Sequence, residues 1–199
     1  MFAREQLAQL SEQKSFIDEQ GWKLKVDGKD MYVKGLVWGY SPKGENFNYN
    51  LWGQSDEFIM KVLDHDFTLM KDAGVNSIRA FSNIPPKWIT YIYEQYGIMT
   101  AVNPLMGRYG ANIDGTWVPQ TDYSDPRTRE VLVAEIEEVV RTYKDTPGVL
   151  MYALGNESNY GLEWSADFEI ENLPTGEAHA AKAVFLYTLF QEAIAAGKK

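Results

Sequence analysis

The feature that most constrains this chain is an alternation. Four apolar runs are each followed by an amphipathic helical pattern. The runs "YVKGLVWG", "VNSIRAF", "IMTAVN" and "VLMYALGNE" are nearly continuous in apolar residues. Strands of that kind belong to a parallel sheet covered on its faces. "SDEFIMKVLDHDFTLMKDAG" predicts a helix with Ser55 as N-cap and Gly74 as its stop. Phe58, Ile59, Val62, Leu63, Phe67, Leu69 and Met70 would share its inner face. "PPKWITYIYEQYG", "DPRTREVLVAEIEEVVRTYKDTPG" and "EAHAAKAVFLYTLFQEAIAAGKK" predict three more helices. Before the first run, "WKLKVDGKDMYVKGL" alternates around Asp27-Gly28, a tight-turn signal. The second arm of that hairpin is expected to run straight into the first parallel strand, ending near Trp38. Residues 1–21 read as a surface helix or an ordered arm, and residues 22–199 as one α/β domain.

The long loops follow the strands and the short ones follow the helices. In α/β folds the carboxyl ends of the strands are where sites are built. Composition narrows the ligand. With a net charge of −9 and no basic run, the chain has nothing to displace counterions from nucleic acid. The absence of cysteine excludes disulfides and thiolate metal sites. No apolar run reaches the length of a membrane span. No metal or cofactor is implied. Six Trp and twelve Tyr are more than a core of this size needs.

The candidate chemistry lies at the strand ends. Glu157 closes the fourth run beside Asn156. Partial burial there would favour the protonated carboxyl and suit a general acid. The bland alternative is a carboxylate that caps the next loop or pairs with Arg79. Arg79 ends the second run and could hold a carboxylate or a substrate oxygen; a structural ion pair competes. Trp38 and Asn103 end the first and third runs. Tyr40, Trp52, Tyr109, Trp117, Tyr160 and Trp164 lie in the strand-end loops. Aromatic planes beside amides and carboxylates match a sugar, whose C–H faces stack and whose hydroxyls need polar partners. Packing of the loops on themselves is the competing account. Asp64-His65-Asp66 has metal-ligand residue types, but neighbouring helical residues diverge, so a solvated face is expected. "GRYGANIDG" is glycine-rich without the Lys-Ser/Thr end of a phosphate loop.

"VDGKDMYVKGLVWGY", "MKDAGVNSIRAFSN" and "YKDTPGVLMYALGNESNYGLEW" together resemble the catalytic (β/α)8 barrel of glycoside hydrolase family 2 and related retaining glycosidases. The resemblance runs from about Trp22 onward. It implies a parallel (β/α) barrel type of fold with about four βα units, half of a TIM barrel, preceded by an N-terminal hairpin. It implies Glu157 as acid/base. Asn156 would bind the hydroxyl beside the reacting carbon, and Arg79 would support the nucleophile. Trp38, Asn103, Tyr160 and Trp164 would line the sugar cleft. The family's nucleophile ends a seventh strand, and the chain stops at "AIAAGKK" after its fourth unit. The expected protein is therefore the N-terminal half of a barrel, acting on a carbohydrate once the nucleophile-bearing C-terminal half is supplied. A non-catalytic carbohydrate-binding or self-assembling half-barrel is the alternative. An unrelated α/β module with a structural Asn156-Glu157 is the third reading.

Overall fold

The computed structural model describes residues 15–17, 21, 23–81, 83–119, 121–158 and 175–198, with the backbone alone at 16 and 175–179. It divides into two units, Met1–Asn103 with Thr142–Ala153 and Pro104–Arg141 with Leu154–Lys199.

The first unit carries two sheets. Strands β1 (Ser15–Ile17), β2 (Leu24–Val26) and β3 (Lys29–Met31) form an antiparallel sheet in that order. Asp27 and Gly28 both have positive φ, 51° and 76°, as a two-residue turn matched to strand twist requires. Ser15–Ile17 is thus an arm added to the expected hairpin rather than part of a helix; residues 1–14 lie outside the described ones. Strands β4 (Gly35–Val37), β5 (Ser77–Arg79), β6 (Met99–Val102) and β9 (Val149–Tyr152) form a second sheet, all parallel, in the order β4-β5-β6-β9. Helices α1 (Asp56–Asp72), α2 (Pro86–Tyr96), α3 (Pro126–Tyr143) and α4 (Thr175–Gly197) follow them in turn. The strand–helix alternation is therefore as expected.

Two local expectations fail. The hairpin's second arm does not continue into the parallel sheet; β3 stops at Met31 and β4 begins at Gly35. Asn76 governs that break. Its side chain accepts from the Lys34 N–H at 2.8 Å and donates to the Tyr32 carbonyl at 2.8 Å. Its backbone N–H donates to the Lys34 carbonyl at 3.0 Å. One amide side chain thus satisfies backbone groups that a ladder would otherwise hold. The inner face of α1 is also narrower than expected. Ile59, Val62, Leu63, Phe67 and Met70 are buried, but Leu69 is 59% exposed, and Phe58 lies edge-on to Tyr40 in the preceding loop. The caps hold as expected, with Ser55 Oγ accepting from the Phe58 N–H and a left-handed Gly74 after Ala73.

The Pro-Gly-Val entry into β9 has a packing reason. Gly148 has φ 91°, and a Cβ there would lie 2.4 Å from Tyr93 Cβ and 3.2 Å from the Ile89 carbonyl. Only glycine lets the strand start this close to α2. Leu150 interrupts the register between β6 and β9, and its carbonyl accepts from the Ser15 hydroxyl.

The second unit has its own core. Met106, Ala111, Tyr123, Leu132, Ile136, Leu186, Leu189 and Ala193 are buried together. Arg129 joins α3 to α4, donating to the carbonyls of Tyr123 at 2.9 Å and Phe185 at 2.8 Å and pairing with Glu192 at 2.7 Å. The long loop after β6 is not irregular throughout. It holds a second Asp-Gly hairpin, β7 (Ala111–Ile113) with β8 (Thr116–Val118), turning at Asp114 and Gly115. Among the described residues no helix is long and apolar enough to cross a membrane.

Replacing Asn76 by Ala removes two hydrogen bonds to backbone groups. The expected loss is about 1 kcal/mol, roughly 2–4 °C in Tm for a chain of this size, read by thermal unfolding. Asp30 offers a pH test. Hydrogen bonds from Lys23 and Lys25 hold its carboxyl down at about 2. A depressed folded value means that its contribution is present above the ordinary carboxylate range and is lost as pH falls through about 2. An NMR titration of the Asp30 carboxyl should place its midpoint there, and the Lys25→Ala variant should move it upward.

Candidate active site at the strand ends

Parallel pairing fixes which side chains share a face. Val37 is opposite Arg79, Arg79 opposite Ala101, and Ala101 opposite Met151. Side chains alternate along a strand, so Val37, Arg79, Ala101, Met151 and, one step on, Asn103 belong to one face. Ile78, almost fully buried, belongs to the other.

On that first face, at the strand ends, Arg79 Nε donates to Asn103 Oδ1 at 2.8 Å. Asn103 Nδ2 in turn donates to the Ala153 carbonyl at 2.6 Å. Asn103 is 3% exposed, so its amide is committed to a chain of hydrogen bonds that fixes the ends of β5, β6 and β9. Arg79 is half-buried and its guanidinium lies 5.0 Å from the centre of the Phe81 ring. A planar cation held at Nε and over an aromatic face is aimed rather than free to sweep.

Trp38 goes elsewhere. It shares the parity of Leu36, and its ring packs against Phe67 of α1 at 5.2 Å and Trp52 at 6.1 Å. Its indole N–H donates to Asp66 Oδ2 at 2.9 Å. The residue is 8% exposed. The structure thus gives Trp38 a packing position on the helix side, not a place among Arg79 and Asn103. The Asp64-His65-Asp66 triplet is likewise not a purely solvated face. Asp64 accepts from the hydroxyls of Tyr91 at 2.6 Å and Tyr96 at 2.5 Å. Burial first, and the Asp64 carboxylate second, push both phenols above their ordinary range. Among the described residues no cluster of His, Cys, Asp and Glu could hold a metal ion.

In the second unit, Asn156 and Glu157 form a turn. Gly155 and Glu157 both have positive φ, 76° and 49°. Left-handed backbone is uncommon for a non-glycine residue and has to be held by its surroundings. Two neighbours in sequence do the holding. Arg108 Nε donates to the Glu157 carbonyl at 2.9 Å. Asn156 Nδ2 donates to the Tyr109 hydroxyl at 2.9 Å. The Arg108 guanidinium lies 4.8 Å from the centre of the Tyr109 ring, so the two holders brace each other. Ser158 is buried beneath the turn, its hydroxyl without a hydrogen-bond partner among the described residues. Glu157 itself is exposed; the partial burial expected of it is not found. Tyr160 and Trp164 lie outside the described residues.

Arg108 is the residue that sequence reasoning passed over. The signal was an arginine inside an otherwise uncharged loop, "NPLMGRYGANI", read only as a glycine-rich stretch. Burial of the residue marks it as a structural cation, since an arginine is rarely taken out of water without a partner.

Comparison with known proteins gives the arrangement its context. A family model described as glycosyl hydrolases family 2, TIM barrel domain, matches residues 20–171. Two solved structures of the Parabacteroides merdae β-glucuronidase are similar in fold. One has a TM-score of 0.56 at 16% identity, over 92% of this chain and 19% of that one. The other, with glycerol in its active site, has a TM-score of 0.55 at 16% identity, over 91% and 19%. The chain thus spans about a fifth of the length of these solved proteins. Its four-stranded parallel sheet with alternating helices is part of a TIM barrel, and the chain belongs to glycosyl hydrolase family 2.

Proposed function

We propose that this chain contributes the acid/base part of a retaining glycosidase site, with Glu157 as general acid and base. The observation that carries the reading is the Asn156-Glu157 turn. Five residues beyond the end of β9 at Tyr152, a carboxylate on left-handed backbone is held through its carbonyl by Arg108 and through its neighbour by Tyr109. Strain kept in place by dedicated partners is a mark of a functional position. In a family of glycoside hydrolases, that carboxyl would protonate the departing glycosidic oxygen and then deprotonate the attacking water.

The roles of the other residues follow the same reading. Asn156, anchored through its amide nitrogen on the Tyr109 hydroxyl, would bind the hydroxyl beside the reacting carbon. Arg79, aimed by Asn103 and Phe81, would support the nucleophile. A retaining mechanism needs a second carboxyl about 5–5.5 Å from the first. By resemblance it comes from a seventh strand, whereas the parallel sheet has four strands among the described residues. We therefore assign the nucleophile to the C-terminal half of a barrel.

Association with that half, or with a second copy, is supported by the edge strand. On β4, Leu36 is 48% and Val37 57% exposed, although they point to opposite faces. A strand with free ladder groups and apolar residues on both faces invites pairing.

Two measurements test these readings. The first is hydrolysis of a panel of aryl β-glycosides, including a β-glucuronide, by the chain with the C-terminal half supplied in trans. Turnover should fall by about a thousandfold or more in Glu157→Ala, consistent with general acid–base contributions of roughly 10²–10⁴ combined with loss of the positioned carboxyl. Unchanged turnover in that variant would remove Glu157 from the mechanism. The second is light scattering of the chain alone. Self-association that weakens in Val37→Lys is expected, and a monodisperse monomer across concentrations would contradict it.

A further inference from the structure

The β7–β8 hairpin has two faces of different character. Ala111 is part of the second unit's core and Ile113 packs against it. Alternation then puts Asn112 on the opposite side, and the ladder pairs Asn112 with Trp117. Paired residues share a face. The outward face therefore carries an amide and an indole side by side, and Trp117 is 60% exposed.

This indole packs against the Gly110 backbone rather than being left loose. Gly110 has φ 108°, and a Cβ there would meet the Trp117 ring at 2.5 Å and the Val118 carbonyl at 2.6 Å. The ring thus lies across bare backbone. The hairpin is pinned at both ends. At its tip, Arg127 grips Asp114 with Nε at 3.0 Å and NH2 at 2.5 Å. At its root, Tyr109, itself half exposed, receives the Asn156 amide. A large aromatic surface kept open to water costs hydration free energy. Here the surrounding structure orders it without covering it.

We propose that the outward face of this hairpin is a carbohydrate-binding subsite, with Trp117 as the stacking platform and Asn112 as a hydroxyl partner. A pyranose with equatorial hydroxyls presents a flat C–H face to such a plane, and its edge hydroxyls fall to an adjacent amide. Through Tyr109 the root of the hairpin is hydrogen-bonded to the Asn156-Glu157 turn, and we assign a sugar on Trp117 to the glycoside on which that turn would act. The subsite rests on the glycosidase reading for its purpose and on the hairpin alone for its chemistry. It would read the sugar beyond the bond being cut and so help set which glycosides are accepted.

The test is saturation-transfer NMR of the full chain with cellobiose and lactose, comparing the parent with Trp117→Ala and Glu157→Gln, each checked for native circular dichroism. Expected are strongest transfer to the axial C–H protons of one ring and binding at least about tenfold weaker in Trp117→Ala, which is RT ln 10 or about 1.4 kcal/mol. Asn112→Ala should weaken binding by a smaller factor. Absence of transfer from both sugars overturns the subsite. So does binding that survives Trp117→Ala but is lost in Glu157→Gln; that outcome leaves the acid/base reading standing without the platform. If Trp117→Ala instead dissolves an oligomer in light scattering while sugar binding is unchanged, the face is a protein contact and the proposal is wrong.

Discussion

The strand-end arrangement depends on the parallel ladder of β4, β5, β6 and β9. Parallel pairing sends each strand's carboxyl end to the same edge of the sheet, and register then decides which side chains meet there. Because Arg79 pairs with Ala101 and Ala101 with Met151, the residues just beyond, Asn103 and Ala153, fall within hydrogen-bonding reach of one another and of Arg79. A slip of one residue would turn Arg79 toward the helices and bring Ile78 to the open face. Buried Ile78 on one side and half-buried Arg79 on the other lock that register from both directions.

Much of this was legible in the sequence, and the reasons are local. Asp27-Gly28 fixes a turn through backbone conformation alone. Ser55 and Gly74 mark their helix ends through hydrogen bonds and φ. The strand–helix alternation shows through apolar periodicity, and the three quoted stretches carried the family. What stayed hidden depends on parity and on distant partners. Trp38 looked like a cleft residue because it ends a strand; whether it faces the helices depends on where that strand begins. The break between β3 and β4 was invisible because its cause, the Asn76 side chain, lies more than forty residues away. Arg108 was passed over because its partner is a backbone carbonyl, which leaves no complementary residue type to find. The exposure of Glu157 was also unreadable, since burial depends on what the rest of the fold lays over it.

The two clusters of candidate residues, one in each unit, are built on different principles. Arg79 and Asn103 sit on a sheet, where the ladder supplies precision. Asn156 and Glu157 sit on a turn, where precision has to come from side chains. Arg108 and Tyr109 supply it, one gripping backbone and the other gripping an amide, and the contact between guanidinium and ring joins the two grips. Such a device carries information from the hairpin loop to the carboxylate. Sequence change in the loop could therefore retune the turn without touching it.

The amide of Asn76 has a consequence for the chemical lifetime of the protein. It serves at once as donor to the Tyr32 carbonyl and as acceptor from the Lys34 N–H. Asparagine followed by serine is a sequence in which the side-chain amide is slowly hydrolysed. That reaction would replace the donor nitrogen with a carboxylate oxygen facing a carbonyl oxygen. The acceptor half of the latch would survive while the donor half became repulsive. A molecule so changed would be one charge more negative, with the N-terminal hairpin less tightly joined to the parallel sheet.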